Sequence, residues 1–145
     1  MMEASFQREL NAVIQIVRKI GPEMEKGAKE DLKEAAALMA ASLKLATPIS
    51  KAPHKVRGRV YTQGTSRRSM RVLPLRRTKS AAIVGPSFRS QNPPFYIRFV
   101  EKGTRNITAR RFIENTRERV GPVAQSLAIR LIIQRIVKFE RENLR

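Results

Sequence analysis

Between residues 51 and 111 the chain carries sixteen basic side chains and one acidic one, Glu101. Charges without partners cannot be moved into a core, because the desolvation cost exceeds what neighbouring contacts return. This block must therefore face solvent, a polyanion or an acidic neighbour. The flanking parts differ. Residues 1–50 balance seven basic against seven acidic side chains, and residues 112–145 hold seven basic and four acidic. Charge thus divides the chain into a neutral first part, a strongly basic middle and a mildly basic end.

The neutral part reads as two helices. Phe6, Leu10, Val13, Ile14, Val17 and Ile20 recur at steps of three and four, the spacing that lines one side of a helix. Gly21-Pro22 ends that stripe, and Pro22 suits the first turn of a new helix, where no N–H is needed. Glu23 and Glu25 fall near the positive end of a second helix predicted over about 23–45. Its apolar face is Met24, Ala28, Leu32, Ala35, Met39, Leu43 and Ala46, and its many alanines favour helix and allow close approach of a neighbour. Thr47-Pro48 stops it, since the residue before proline disfavours helical backbone.

Past that point the pattern changes. Residues 48–66 contain Pro48, Pro53, Gly58, Gly64 and His54, and read as a long exposed loop or arm that becomes ordered on assembly, in which Val60 and Tyr61 could start a strand. Three strand candidates follow. One covers 69–73, with Pro74 at its edge; one covers 81–84, closed by Gly85-Pro86. The third covers 95–101, where Phe95, Ile97 and Phe99 alternate with Tyr96, Arg98 and Val100 and form one core face. Turns at 76–79 and 102–104 and a loop at 87–94 join them. Residues 112–120 are helical in composition, and Gly121-Pro122 predicts a kink or break. Residues 123–139 form a last helix whose apolar arc is wider than one packed face needs. The second side of that arc would meet the domain's own core or another subunit.

The order predicts one α+β domain over 1–145. Its parts are two N-terminal helices (1–47), a loop or arm (48–66), a basic β part with a small antiparallel sheet of three to four strands (67–111), and a long C-terminal helix (112–145). The core is mostly aliphatic, since the chain has six Phe, two Tyr and no Trp. No run of about eighteen apolar residues marks a membrane span, and the first residues lack the pattern of a signal peptide.

Few residues can carry chemistry. The absence of cysteine excludes disulfides, thiol catalysis and thiolate metal sites. His54 is the only histidine and has no neighbouring carboxylate to orient it as a base. One His without Cys cannot build an ordinary zinc shell. Glu101 alone cannot act as both acid and base, and the glycines lack the spacing of a phosphate loop. No catalytic residue, metal site or cofactor is expected. The basic residues fall mostly in loops and strands, which does not suit a recognition helix.

The most distinctive run is Phe95-Tyr96-Ile97-Arg98-Phe99-Val100-Glu101-Lys102-Gly103-Thr104, followed by Thr108-Ala109-Arg110-Arg111-Phe112-Ile113. It resembles the aromatic-rich Glu-x-Gly-Thr segment and the Ala-x-x-Phe helix opening of the head–tail joining, or tail-completion, family of long-tailed bacteriophages. Upstream, Ala46-Thr47-Pro48 resembles the Ala-x-Pro helix end of that family. Gly64-Thr65-Ser66-Arg67-Arg68-Ser69-Met70 resembles its Gly-x-Leu-x-x-Ser segment, with Ser66 in place of Leu. Val84-Gly85 resembles the close of its middle strand. The motif residues are Pro48, Gly64, Ser69, Gly85, Glu101, Gly103, Thr104, Ala109 and Phe112, spread over about residues 30–120. In physical terms Gly103 can take a positive φ, Thr104 can brace the turn with its hydroxyl, and Phe112 can plug the start of the last helix into the sheet.

The resemblance implies a structural virion protein of the neck or upper tail of a siphophage-like particle, assembled in the host cytoplasm. It implies a homo-oligomeric ring, commonly of six subunits, that meets a connector or stopper, a tail terminator and the tail tube through loops 48–66, 86–94 and 102–111. Arg57, Arg59, Arg67, Arg68, Arg76, Arg77, Arg105, Arg110 and Arg111 would supply charge complementarity to acidic rings or to DNA in the channel. No membrane partner is expected. Charge alone leaves a second class open, a non-specific nucleic-acid-binding module.

Overall fold

A computed structural model describes the backbone of residues 2–74, 82–89 and 94–143, and the side chains of 8–73, 84–89 and 94–143. Phe6, Ala81, the turn expected at 76–79 with Arg76 and Arg77, and the middle of the loop at 90–93 lie outside these limits.

The two helices expected from the apolar stripes are present as α1 (Met2–Ile20) and α2 (Pro22–Ala46). Gly21 joins them at φ 139°, a conformation few side chains tolerate, and Pro22 opens α2. At the other end Thr47 is extended, and its Oγ1 donates to the Leu43 carbonyl at 2.6 Å. The Thr47 N–H donates to the same carbonyl at 2.9 Å, so the Leu43 oxygen accepts twice at the end of the helix. A long helix, α5 (Phe112–Asn143), returns along α2. The two run antiparallel, since Leu43 clusters with Phe112 at one end and Met24 and Ala28 with Ile132 at the other.

Two clusters form the core. Val17 of α1, Met24 and Ala28 of α2 and Ile132 of α5 make a three-helix cluster, flanked by Val13, Leu32 and Phe139. Leu43 and Phe112 meet Met70 and Ile97 in a second cluster, flanked by Ala46, Val84 and Val100. The aliphatic character expected from composition holds in both.

The β structure is divided. A hairpin pairs β1 (His54–Val56) with β2 (Arg59–Tyr61). A five-residue helix, α3 (Thr65–Ser69), leads into a second hairpin of β3 (Met70–Pro74) and β4 (Ala82–Pro86). The mixed α+β class is as expected, with four antiparallel strands among the described residues, arranged as two separate ribbons. The stretch 48–66, expected to be irregular, thus holds a hairpin and the start of α3. Gly58 at φ 79° lets its hairpin turn, and Tyr61 is buried against His54, Phe95 and Tyr96.

The strand expected at 95–101 is instead a turn followed by α4 (Ile97–Lys102). Val100 N donates to the Tyr96 carbonyl and Gly103 N to that of Phe99. Neither ribbon takes this segment as a third strand, and a helix satisfies its backbone groups within the segment itself. As a helix, the same residues place Ile97 and Val100 on the core side. The expected core face of Phe95, Ile97 and Phe99 does not form. Ile97 is buried, whereas Phe95 and Phe99 are exposed and meet each other's rings one turn apart.

Gly121-Pro122 does not break the last helix, which continues from Phe112 to Asn143. Pro122 is exposed, so the carbonyl that loses its N–H partner there has solvent within reach. By length and composition α5 is sufficient to cross a membrane, although no run of eighteen apolar residues exists. Two arginines interrupt its apolar stretch, and one of them, Arg135, is bound to Asp31 of α2. Ala124, Ala128 and Ile132 are buried, while Val123, Ile133 and Val137 are exposed. The wide apolar arc therefore serves the core on one side only.

Candidate functional site

Five of the nine motif residues lie on the segment that joins α4 to α5. Glu101 lies near the end of α4, and its carboxylate accepts from Ile113 N at 2.9 Å and from Glu114 N at 3.0 Å. These are amides of the first turn of α5, which lack partners within the helix. The negative charge also sits at the positive end of the helix dipole. Gly103 follows at φ 78°, and a Cβ there would stand 2.8 Å from both Ala109 N and the Ile107 carbonyl oxygen. Thr104 and Ile107 exchange backbone hydrogen bonds, and Asn106 N donates to Thr104 Oγ1 at 3.3 Å. Arg110 N and Arg111 N donate to the carbonyls of Val100 and Glu101. Phe112 closes the loop by entering the second core cluster. Glu101, Gly103, Thr104, Ala109 and Phe112 thus belong to one clasp that holds α5 against α4.

Of the upstream motif residues, Pro48 and Gly64 border the same region. Pro48 follows the end of α2. Gly64 takes φ 72° ahead of α3, and Ser69 Oγ donates to the Ser66 carbonyl at 2.6 Å. Gly85 lies buried in β4 opposite Arg71. A cavity of about 230 Å³ opens among these elements, lined in part by Pro48, His54, Ser66, Tyr96, Val100 and Arg110. The His54 ring stacks on Tyr61 at 5.3 Å and meets the edge of Tyr96 at 5.0 Å. It is held as one member of an aromatic cluster.

The nine arginines fall into different roles. Arg67 donates to the carbonyls of Leu45 and Thr47, so it closes the end of α2. Arg68 donates to the Gln63 carbonyl and to Thr62 Oγ1. Arg111, at φ 45°, pairs with Glu114 at 2.7 Å; the hydrogen bond to that carboxylate raises its guanidinium above the ordinary value. Arg57, Arg59, Arg105 and Arg110 are exposed on the hairpin turn and the clasp. Arg76 and Arg77 are outside the described residues. Among the described residues no group of three or more His, Asp or Glu side chains could hold a metal ion.

One pair escaped the sequence reading. Asp31 is 6% exposed on the inner side of α2, and its carboxylate receives both Arg135 Nε and Nη2 at 2.8 Å. The bidentate bond raises the Arg135 guanidinium above its ordinary value, against the burial that lowers it. Gly27 makes this possible, because a Cβ there would lie 2.5 Å from Arg135 Nη1. The signal available was an aspartate within the apolar stripe between Ala28 and Ala35; its partner, 104 residues away, had no local signature.

Comparison with family models, with curated proteins and with solved structures finds no match to this chain.

Proposed function

We propose that this chain is a structural subunit of the neck or upper tail of a long-tailed phage, one that assembles with copies of itself into a ring. The observation that carries the reading is the clasp. Five of the nine residues on which the family resemblance rests make one continuous set of contacts, with Glu101 capping α5, Gly103 admitting no side chain and Phe112 entering the core. Such a segment specifies how a loop is presented, and what it presents is basic: Arg105 and Arg110 are exposed on it. The β1–β2 hairpin adds Arg57 and Arg59 to the exposed basic surface. Fixed cationic loops suit docking onto acidic rings, where complementary charge sets register.

The chemistry is consistent with assembly. His54 lines the cavity, but no residue lining that cavity is a carboxylate that could orient it as a base, and Glu101 is occupied by two backbone amides. Neither is left to act on a substrate. Light scattering of the full chain, with electron microscopy of the same sample, tests the reading. A closed ring of uniform subunit number is expected. A monomer at every concentration that binds duplex DNA with steep salt dependence would replace it with the nucleic-acid-binding module.

A further inference from the structure

α5 turns one side toward α2 and leaves the other uncovered. On the uncovered side Arg119, Arg130 and Arg141 are spaced eleven residues apart. Eleven residues are close to three helical turns, so these arginines share one line. Val123, Ile133 and Val137 lie along it at 57%, 46% and 39% exposure.

α2 has an uncovered side of opposite sign. Glu23, Glu30 and Glu34 occupy its first half, and Leu38, Ala41 and Leu45 its second, all exposed, with Leu45 at 77%. They recur at steps of three, four and seven, in a stripe distinct from the inner one of Met24, Ala28, Asp31 and Ala35. The nearest contrary charges, Lys26, Lys33 and Lys44 on α2 and Glu140 on α5, are also exposed and stand roughly a fifth of a turn off the centres of these lines.

We infer that the two strips are the two halves of one subunit contact, with the basic strip of α5 lying along the acidic strip of α2 in a second copy. The inference rests on the ring reading above and names the surface that closes the ring. Sign is the first argument: either strip set against itself would oppose like charges, whereas the two together are complementary. Spacing is the second. Glu23 and Glu34 are also eleven residues apart, so both reach arginines of the 119–130–141 row at once, in either helix direction. Composition is the third. Each strip carries large apolar side chains that the contact would remove from water. Because the two faces differ, the contact is head-to-tail and repeats from copy to copy until it closes.

Light scattering on the full chain tests it with the double variants Glu23→Arg/Glu34→Arg and Arg119→Glu/Arg130→Glu. Each is expected to raise the concentration for half assembly by at least about tenfold. The chain carrying all four substitutions is expected to return to the original value. A second readout does not depend on reversing charge. The chain has no cysteine, so a Glu34→Cys copy mixed with an Arg130→Cys copy should form a disulfide-linked pair on oxidation. A Lys55→Cys copy in place of Glu34→Cys should not. A ring that survives both reversals and yields no such cross-link overturns the contact while leaving the ring reading in place. A wild-type chain that stays monomeric overturns both.

Discussion

At Gly103 a single methyl group decides whether the clasp closes. Alanine there would combine a positive φ with a Cβ placed 2.8 Å from backbone atoms of Ile107 and Ala109. Gly103→Ala is expected to cost about 1–3 kcal/mol, read as a lower urea midpoint; an unchanged midpoint would mean that the loop yields. Asp31 acts over a longer path. Asp31→Ala removes the carboxylate from a partly buried guanidinium and is expected to cost about 1–3 kcal/mol. Replacing both partners, Asp31→Leu with Arg135→Met, should recover most of that loss, because an apolar pair leaves no charge uncompensated. Chemical denaturation of the three variants checks the cycle. These positions also show what residues reveal by themselves. The positive φ of Gly103 and the hydroxyl contact of Thr104 follow from local backbone chemistry and were readable in advance. The Asp31–Arg135 bond, and the need for Gly27 beside it, appear only when α2 and α5 are laid together.

Helix α4 shows how an element is chosen by its surroundings. Alternation at 95–101 fits a strand, yet the segment is short and neither of the two ribbons described takes it as a third strand. A helix satisfies its own backbone, so it prevails where a strand would lack a partner. The β1–β2 hairpin shows the reverse. Its residues look irregular in sequence, but Gly58 turns the chain and Tyr61 anchors it among aromatic rings. Tyr61→Ala is expected to cost about 3–5 kcal/mol, as for other buried aromatics. Limited proteolysis should then cut within 48–66 in the variant and not in the wild-type monomer. In α5, Pro122 withholds one hydrogen bond from a helix that continues past it. Pro122→Ala should therefore stabilise by about 1–2 kcal/mol, the regained bond outweighing the freer unfolded chain. A melting temperature that falls on this substitution would show that the proline is needed where it stands.

Over the whole molecule, charge and shape are handled by different parts. The core is aliphatic and lies between helices and two small ribbons, and the basic loops project from the clasp and the hairpin. Neutralising Arg57, Arg59, Arg105 and Arg110 together by glutamine should alter stability by no more than about 0.5 kcal/mol per site. The same variant should bind an anionic partner more weakly and with a flatter salt dependence, which duplex DNA at two salt concentrations would measure. Equal binding by both proteins would place the relevant charge elsewhere. The sequence by itself determined the three-part charge division, the two N-terminal helices, the mixed class and the scarcity of catalytic groups. Those features follow from composition and from periods of a few residues, which act locally. Tertiary structure alone decided that 95–101 is helical, that the β structure splits in two, that Arg67 and Arg68 are spent on internal bonds, and that α5 keeps one apolar side uncovered. Those outcomes depend on which strands, carbonyls and faces the fold brings together, and no local pattern records that.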